Sequence, residues 1–269
     1  MSKTIGIIGC GWLGFPLAQA FLAEKHKVKG TTTSDEKLNL LEKEGIKSYL
    51  ISLSEHEIDG AIHDFLKDVK TLIINVPPKL RGANKENYVA KMQLLHNAIK
   101  VSTIENIVFV SSTSVYGDFD GAVTEKTKPE PTTESGKQLL KSEAIFQNDA
   151  DLKTTIIRFG GLISQDRHPV TMLANRQGLE NGNMPVNLIH RDDCIRIITA
   201  IVKNNWWQEI INGVYPDHPT KKEYYTQEAK RRYIQPPDYK VETTKKGKII
   251  SSDYLLNVKK FHFLTSIKN

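Results

Sequence analysis

Short apolar runs alternate with amphipathic segments through residues 1–161 of the chain. The runs typical of buried strands read, in chain order, KTIGIIG, KVKGTTT, IKSYLISL, TLIINVPP, NIVFVSS and LKTTIIRFG. Between them lie segments with apolar residues at helical spacing, the clearest being FPLAQAFLAEKH, DEKLNLLEKEG, NKENYVAKMQLLHNAIKVS and GKQLLKSEAIFQN. Such alternation indicates a parallel sheet covered by helices on both faces. The pattern therefore predicts a doubly wound α/β fold, in which ligands bind at the carboxyl ends of the strands.

The pattern becomes less regular after residue 161. HRDDCIRIITAIVKN predicts an amphipathic helix with Asp192 or Asp193 as its cap, and TKKEYYTQEAKRRY predicts another helix. INGVYPD is strand-like, YIQPPDY is a proline-rich break, and KIISSDYLLNVKKFHF predicts a short strand, a capped helix and a tail. We expect one domain over residues 1–161 and a small, interleaved α/β region over residues 162–269, of which 190–216 returns to the core of the first domain.

The stretch IIGCGWLGFPLA places three glycines at GxGxxG spacing between the first strand and the first helix. In this setting Gly9 permits a tight turn, Gly11 lets the backbone approach a pyrophosphate, and Gly14 lets the helix pack close to the sheet. The helix N-terminus adds free N–H groups and a partial positive charge, and Trp12 and Leu13 would contribute backbone N–H groups and packing. The loop predicts dinucleotide binding in a Rossmann domain over 1–161, with a bare strand-to-helix turn as the alternative.

The tip of the second strand is expected to select the cofactor. A carboxylate there would bind the ribose 2′-hydroxyl of NAD, but the chain has Thr32, Thr33 and Ser34, and no acidic residue before Asp35. Hydroxyl groups with the nearby Lys37 can receive a 2′-phosphate that no carboxylate repels. The sequence therefore favours NADP over NAD, the alternative being a threonine-rich strand end without cofactor discrimination.

The composition is that of an ordinary globular protein, with 39% apolar and 25% charged residues in 269. No apolar run approaches the length of a membrane span and the start shows no signal region, so we expect a cytoplasmic protein. Cys10 and Cys194 lack metal or disulfide spacing, and Cys10 is interpreted as a small neutral filler rather than a reactive thiol. The net charge of +6 comes from the C-terminal part. Because its basic residues are scattered, we expect a solvated surface and no nucleic-acid partner.

Four longer stretches resemble one protein family in the right order. VFVSSTSVYG, LKTTIIRFGGLIS, NLIHRDDCIRIITAIV and INGVYPDHPTKKEYYTQEA are similar to segments of the extended short-chain dehydrogenases/reductases, the epimerase/dehydratase superfamily. GCGWLG, INVPP and PTTESGKQLL resemble its atypical, YeeZ-like branch. The resemblance covers nearly the whole chain and implies a Rossmann fold with a small C-terminal substrate-side region, a nicotinamide dinucleotide and a small-molecule substrate.

The resemblance also implies roles for individual residues. Ser112 occupies the position of the family's catalytic serine or threonine, where it would orient a substrate oxygen. Further residues are implied to line the cofactor or the substrate: Ser111, Val76 and Pro77 on the cofactor side, Thr113 at the edge of the nicotinamide pocket, and Thr113, Tyr116 and His190 on the substrate side.

The chain departs from the family at its catalytic pair. The alignment puts Ser135 at the position of the proton-donating tyrosine and Leu139 at the position of its lysine, with Lys137 and Lys141 two residues out of register. Ile8 also replaces the first glycine of the family's usual GxxGxxG loop. A serine has no pKa suited to general acid–base work, so the standard proton donor is missing.

Two functions remain open on the sequence. One is an oxidoreductase or epimerase-like enzyme acting on a small carbonyl or sugar-like substrate, with Tyr116 or His190 as possible substitute acids and Lys79 and Arg81 near an anionic substrate. The other is a non-catalytic regulator that senses NADP(H) or its redox state, which the missing pair favours. We expect no metal.

Overall fold

The computed structural model describes residues 2–78, 80, 86–240 and 246–268. Its strands are β1 (Thr4–Ile8), β2 (Lys27–Thr32), β3 (Lys47–Leu50), β4 (Ser52–Leu53), β5 (Ile58–Asp59), β6 (Thr71–Ile74), β7 (Asn106–Ser112), β8 (Gly121–Val123), β9 (Lys153–Phe159), β10 (Gly161–Ile163), β11 (Leu188–His190), β12 (Ile210–Gly213) and β13 (Lys248–Ile250). Its helices are α1 (Gly14–Ala23), α2 (Asp35–Lys43), α3 (Ile62–Leu66), α4 (Tyr88–Lys100), α5 (Glu134–Gln147), α6 (Pro169–Leu173), α7 (Arg191–Asn204) and α8 (Lys221–Arg231).

Seven strands form the central sheet, in the order β12-β9-β7-β6-β1-β2-β3. β1 pairs in parallel with both β2 and β6, and β2–β3 and β6–β7 are parallel as well. β1 and β6 are almost entirely buried, which is why they are continuous apolar runs rather than alternating ones. The sheet order reverses at β1, so β1 and β6 leave a crevice at their carboxyl ends. The structure confirms the predicted doubly wound α/β fold.

The chain forms two compact units, and each contains several chain segments. The first comprises Met1–Val115, Pro131–Ile157 and Ile195–Ile210, and the second comprises Tyr116–Glu130, Arg158–Cys194 and Ile211–Asn269. The core of the first unit includes the fully buried Leu17, Phe21, Phe65 and Phe109. The second unit has its own apolar core around Tyr224, Val170 and Ile267, beside the short parallel pairs β10–β11 and β8–β13. The sequence-based boundary after residue 161 stays a prediction.

Two local expectations from the sequence are wrong. The run IKSYLISL is not one strand, because the backbone leaves the central sheet after Leu50 and Ser52–Leu53 pairs antiparallel with Ile58–Asp59. Neither Asp192 nor Asp193 caps α7, because the helix already begins at Arg191. Instead the Nδ1 atom of His190 accepts the backbone N–H of Asp192, while the buried Asp193 carboxylate accepts the N–H groups of residues 264 and 265.

Candidate functional site

The three glycines after β1 differ in why the fold needs them. Gly9 has φ +96°, and a Cβ there would lie 2.5 Å from the carbonyl oxygen of Asn75. A Cβ on Gly14 would lie 2.1 Å from the carbonyl oxygen of Gly9. Both distances are far inside van der Waals contact, so the backbone itself requires glycine at these two positions. Gly11 is different, because a Cβ there would meet no atom within 4 Å.

The open space beside Gly11 fits a ligand that approaches the backbone. Gly11 is exposed and its neighbours do not forbid a side chain, so protein packing gives no reason for a glycine. α1 begins at Gly14 without a side-chain cap on its N-terminal N–H groups and without an acidic residue in its first turn. In this first turn the Phe15 N–H donates to the Gly11 carbonyl at 2.9 Å and Pro16 has no N–H, so it is the positive end of the helix dipole that favours a bound phosphate. This arrangement suits the pyrophosphate of a dinucleotide.

Two residues that the sequence analysis did not single out hold the glycine loop in place. The Thr31 hydroxyl accepts the N–H of Gly9 at 3.0 Å, and the Thr31 carbonyl accepts the N–H of Cys10 at 2.8 Å. On the other side the Asn75 side-chain amide donates to the Gly9 carbonyl at 3.1 Å. The sequence did carry one indication of these two residues. Thr31 lies in β2 and Asn75 follows β6, and both strands flank β1 in a doubly wound sheet.

The Cys10 thiol fills space beneath the loop. A Cβ on Gly30 of β2 would lie 2.5 Å from the Cys10 sulfur, so the sulfur packs directly on that glycine. Burial raises the pKa of Cys10 to about 12, and the thiol stays protonated at neutral pH. The structure therefore supports a small neutral filler over a reactive thiol.

The tip of β2 leaves several polar groups available. Thr32 is buried and its hydroxyl accepts the N–H of Ser34 at 3.2 Å. Ser34 stands at the N-cap position of α2, yet its side chain makes no capping hydrogen bond. Thr33 and Lys37 are exposed. The hydroxyls of Thr33 and Ser34 and the ammonium of Lys37 are thus free to meet a ligand, although the first turn of α2 also carries Asp35 and Glu36.

The segment after β6 is anchored by a buried tyrosine. The Tyr88 hydroxyl donates to the carbonyl of Val76 at 2.7 Å, and burial raises the pKa of this phenol well above its ordinary value. Val76 is half-buried and Pro77 is exposed. Tyr88 was not predicted as a site residue, because in the sequence it is only one apolar position of the predicted helix. Lys79 and Arg81 lie outside the described residues.

The four hydroxyls at the end of β7 differ in their partners, and the buried Ser114 hydroxyl has none among the described residues. Ser111 donates to a carboxylate oxygen of the buried Glu143 at 2.5 Å, which ties β7 to α5. The Ser112 hydroxyl accepts the N–H of Ser114 at 3.1 Å, and the buried Thr113 begins a 3₁₀ turn over Thr113–Tyr116. Ser112 is thus engaged in turn geometry, but its hydroxyl hydrogen remains available to donate.

The positions of the family's catalytic pair both lie on α5. Leu139 is 3% exposed and Ser135 is half-buried. Neither side chain can exchange a proton near neutral pH. The close approach of α5 to the turn after β7 depends on Gly136, because a Cβ there would lie 2.7 Å from the Ser114 carbonyl oxygen.

Tyr116 and His190 belong to the second unit and are held by neighbours there. The Tyr116 hydroxyl accepts a hydrogen bond from Arg158 at 3.0 Å and donates to the Asn212 side chain at 2.8 Å, and the guanidinium carbon lies 4.9 Å from the ring centroid. Burial raises the pKa of Tyr116, which makes it a weaker acid than a free phenol. His190 uses Nδ1 to cap α7, and Asp192 lies 3.5 Å from the same atom.

The described part of the chain shows neither a metal site nor a membrane-spanning helix. No three His, Cys, Asp or Glu side chains among the described residues come together in a way that could hold a metal ion. Every helix within the described ranges is too short or too polar to cross a membrane.

Comparison with known proteins defines the class of this chain. A family model described as NAD(P)H-binding matches residues 9–205. The chain therefore belongs to this NAD(P)H-binding family. Among individual relatives, Protein YeeZ of Escherichia coli strain K12 is 33% identical over 263 residues, which cover 97% of this chain and 96% of that protein.

Solved structures of low sequence identity share the fold. MoeE5 in complex with UDP-glucose and NAD has a TM-score of 0.79 at 18% identity, over 99% of this chain and 95% of that chain. UDP-glucuronic acid 4-epimerase from Bacillus cereus, in complex with UDP-glucuronic acid and NAD, has a TM-score of 0.80 at 18% identity, over 99% and 96% of the two chains. The shared fold therefore covers nearly the whole chain and not only the part that carries the glycine loop.

Proposed function

We propose that this protein binds NADP(H) in the glycine loop and uses it in hydride transfer with a small carbonyl or sugar-like substrate. The open space beside Gly11 carries the proposal, because the loop leaves room where a pyrophosphate would lie and the protein alone does not need that room. Gly9, Gly14 and the backbone N–H groups of Trp12 and Leu13 would complete the phosphate site. When bound, the nicotinamide supplies the hydride donor or acceptor.

The preference for NADP rests on this chain's own residues, since the solved neighbours named above carry NAD. Thr33, Ser34 and Lys37 offer two hydroxyls and an ammonium at the tip of β2, and no carboxylate lies between Val28 and Asp35. Hydrogen bonds to a charged group contribute roughly 1.5–3 kcal/mol each, so one such bond to a 2′-phosphate is enough for a preference. Thr32 would contribute indirectly, because its hydroxyl accepts the N–H of Ser34 and so positions that residue.

Support for a sugar-like substrate comes from the solved structures of similar fold and from the hydroxyl groups at the end of β7. MoeE5 and the Bacillus cereus epimerase were solved with UDP-glucose and UDP-glucuronic acid respectively. In this chain Ser112 would orient a substrate oxygen, with Ser111, Thr113, Val76 and Pro77 beside the nicotinamide. Tyr116 and His190 remain proposed substrate-side groups in the second unit.

A second function, a non-catalytic NADP(H)-binding regulator or redox sensor, is favoured by one observation. Leu139 is 3% exposed where the family has the lysine that tunes its tyrosine, and Ser135 replaces that tyrosine. An apolar, buried side chain cannot lower the pKa of a neighbouring acid. Cofactor binding without turnover would follow if no other acid takes over the proton.

The test combines affinity and turnover on the full chain. Calorimetry should give tighter binding of NADPH than of NADH, and Lys37→Met should weaken NADPH about tenfold while leaving NADH unchanged. Lys43→Met, at the exposed C-terminal end of the same helix, is the matched control. NADPH oxidation should then be followed over aldehydes, ketones and nucleotide sugars, with Ser112→Ala beside wild type. NADH binding as tight as NADPH contradicts the cofactor preference, and tight NADPH binding without any turnover selects the regulator.

A further inference from the structure

The second unit contains a cavity of about 400 Å³. It is lined by α6, by the loop that follows α6, by the first turns of α8 and by Tyr239. Ligand pockets for small organic molecules begin at roughly 300 Å³, so this cavity is large enough to hold one. None of the groups assigned to the dinucleotide lines it.

The cavity has an apolar and aromatic lining. Leu173, Leu179 and Met172 contribute aliphatic or thioether surface, and Met172 is 69% exposed. The rings of Tyr225 and Tyr239 are each 8% exposed. Neither phenolic hydroxyl hydrogen-bonds to any residue that the structure describes. Burial raises the pKa of both phenols to about 12, so both keep their protons and can donate.

Two cations also line the cavity, and neither is neutralised by a carboxylate among the described residues. The ammonium of the half-buried Lys221 has the Met184 sulfur at 3.9 Å as its side-chain contact, and burial lowers the pKa of Lys221. The guanidinium of Arg176 makes no hydrogen bond or ion pair within the described ranges. Among the described lining residues Glu180 carries the one carboxylate, and it lies 3.6 Å from the ammonium of Lys240.

All four of these groups can donate a hydrogen bond, and two of them, Lys221 and Arg176, are positively charged. A cationic ligand would be repelled by these two charges, and the lining carboxylate of Glu180 already faces the ammonium of Lys240 at 3.6 Å. A neutral apolar ligand would cover hydroxyls and an ammonium without giving them a hydrogen-bond partner, which is unfavourable. An anion with an apolar body satisfies both the donors and the ring surfaces.

We propose that this cavity is a binding site for a small organic anion whose apolar or aromatic body packs on Tyr225 and Tyr239 while its carboxylate or phosphate is held by Lys221 and Arg176. The site goes beyond the proposed dinucleotide function and does not depend on it. Tyr225 and Tyr239 would donate further hydrogen bonds to the same anionic group.

The experiment compares two probes of equal shape and different charge on the full-length protein. 1-Naphthoate and its neutral amide are titrated by calorimetry, and we expect the carboxylate to bind about tenfold more tightly. Lys221→Met should weaken naphthoate about tenfold and leave the amide unchanged. Lys222→Met is the control, because that neighbouring lysine is exposed and does not line the cavity.

Three results would overturn the proposal: equal affinity for the two probes, wild-type naphthoate affinity in Lys221→Met, or no binding of naphthoate at millimolar concentration. If Lys221→Met fails to fold, Arg176→Met on the loop after α6 gives the same comparison. NADPH affinity is measured on the same samples and should not change with either variant. If the protein binds naphthoate and no dinucleotide, the proposed function is contradicted, whereas the proposal that this cavity binds an organic anion is supported.

Discussion

The side-chain amide of Asn75 donates a hydrogen bond to the backbone carbonyl of Gly9 at 3.1 Å. This bond fastens the turn that leaves β1 to the end of the neighbouring strand β6. A Cβ on Gly14 would also press on this amide, because it would lie 3.2 Å from the amide nitrogen of Asn75. The shape of the glycine loop therefore depends on the neighbouring strand β6 as well as on the glycine motif.

The Asn75–Gly9 bond should matter for both stability and cofactor affinity. Asn75→Ala removes the donor and leaves the Gly9 carbonyl without it, so we expect unfolding to become easier by about 1 kcal/mol. Dinucleotide affinity should fall roughly fivefold, because part of the binding energy must then order the loop. Urea unfolding and fluorescence titration measure the two effects. Asn39→Ala, at an exposed position of α2, should change neither, and unchanged affinity in Asn75→Ala would show that the bond does not preorganise the loop.

The two serines at the end of β7 should respond differently to truncation. Ser111 donates to the buried Glu143 carboxylate, so Ser111→Ala is expected to cost about 1.5–3 kcal/mol of unfolding free energy. Ser112 accepts a backbone N–H in a half-buried turn, and Ser112→Ala should cost only about 0.5–1.5 kcal/mol. Paired urea denaturation of the two variants checks the order. A larger loss for Ser112→Ala would contradict the tasks assigned to these hydroxyls.

His168 should make the second unit sensitive to acid. Its Nδ1 atom accepts the N–H of Val170 and its Nε2 atom faces the Tyr224 hydroxyl at 2.9 Å. Because Tyr224 donates to the Ile267 carbonyl, this geometry suits a neutral ring protonated on Nε2. Burial, with the charge of Arg232 nearby, lowers the pKa of His168 to about 4.

The sign of the pH effect follows from that lowered pKa. The unfolded chain binds a proton at His168 near pH 6.5 and the folded chain only near pH 4, so stability falls as pH drops through this interval. A shift of this size corresponds to about 3 kcal/mol at most. Urea unfolding between pH 7 and pH 4 should therefore show a smaller loss in His168→Gln than in wild type. The exposed His56→Gln is the control, and equal slopes in His168→Gln and wild type would refute the assignment.

Local patterns in the sequence were sufficient for the architecture and for the glycine loop. Continuous apolar strands and amphipathic helices can be recognised from consecutive residues, and so can the spacing of Gly9, Gly11 and Gly14. The partners of that loop were not predictable in the same way. Thr31 and Asn75 act across strand pairs, and their hydrogen bonds depend on a register that the sequence pattern leaves open.

The missed features share a physical cause. The cap of α7 is His190, and a histidine in that position has no strong sequence preference, whereas two aspartates follow it. Glu143 was not predicted as a site residue, and its bond to Ser111 joins residues 32 apart. The cavity beside Tyr225 and Tyr239 likewise depends on tertiary packing, because its lining residues are spread over three chain segments.

Dinucleotide binding in the glycine loop is tested most directly by titrating wild type, Gly11→Val and Gly14→Ala with NADP⁺, NADPH, NAD⁺ and NADH. Gly11→Val should fold normally, since a Cβ at that position meets no atom within 4 Å, and should lose dinucleotide binding because the side chain occupies the pyrophosphate space. Gly14→Ala should lose stability first, because its Cβ would lie 2.1 Å from a backbone oxygen. Wild type should therefore bind a dinucleotide, and a folded Gly11→Val should bind none. Wild-type affinity in Gly11→Val, or no binding of any of the four dinucleotides by wild type, would contradict it.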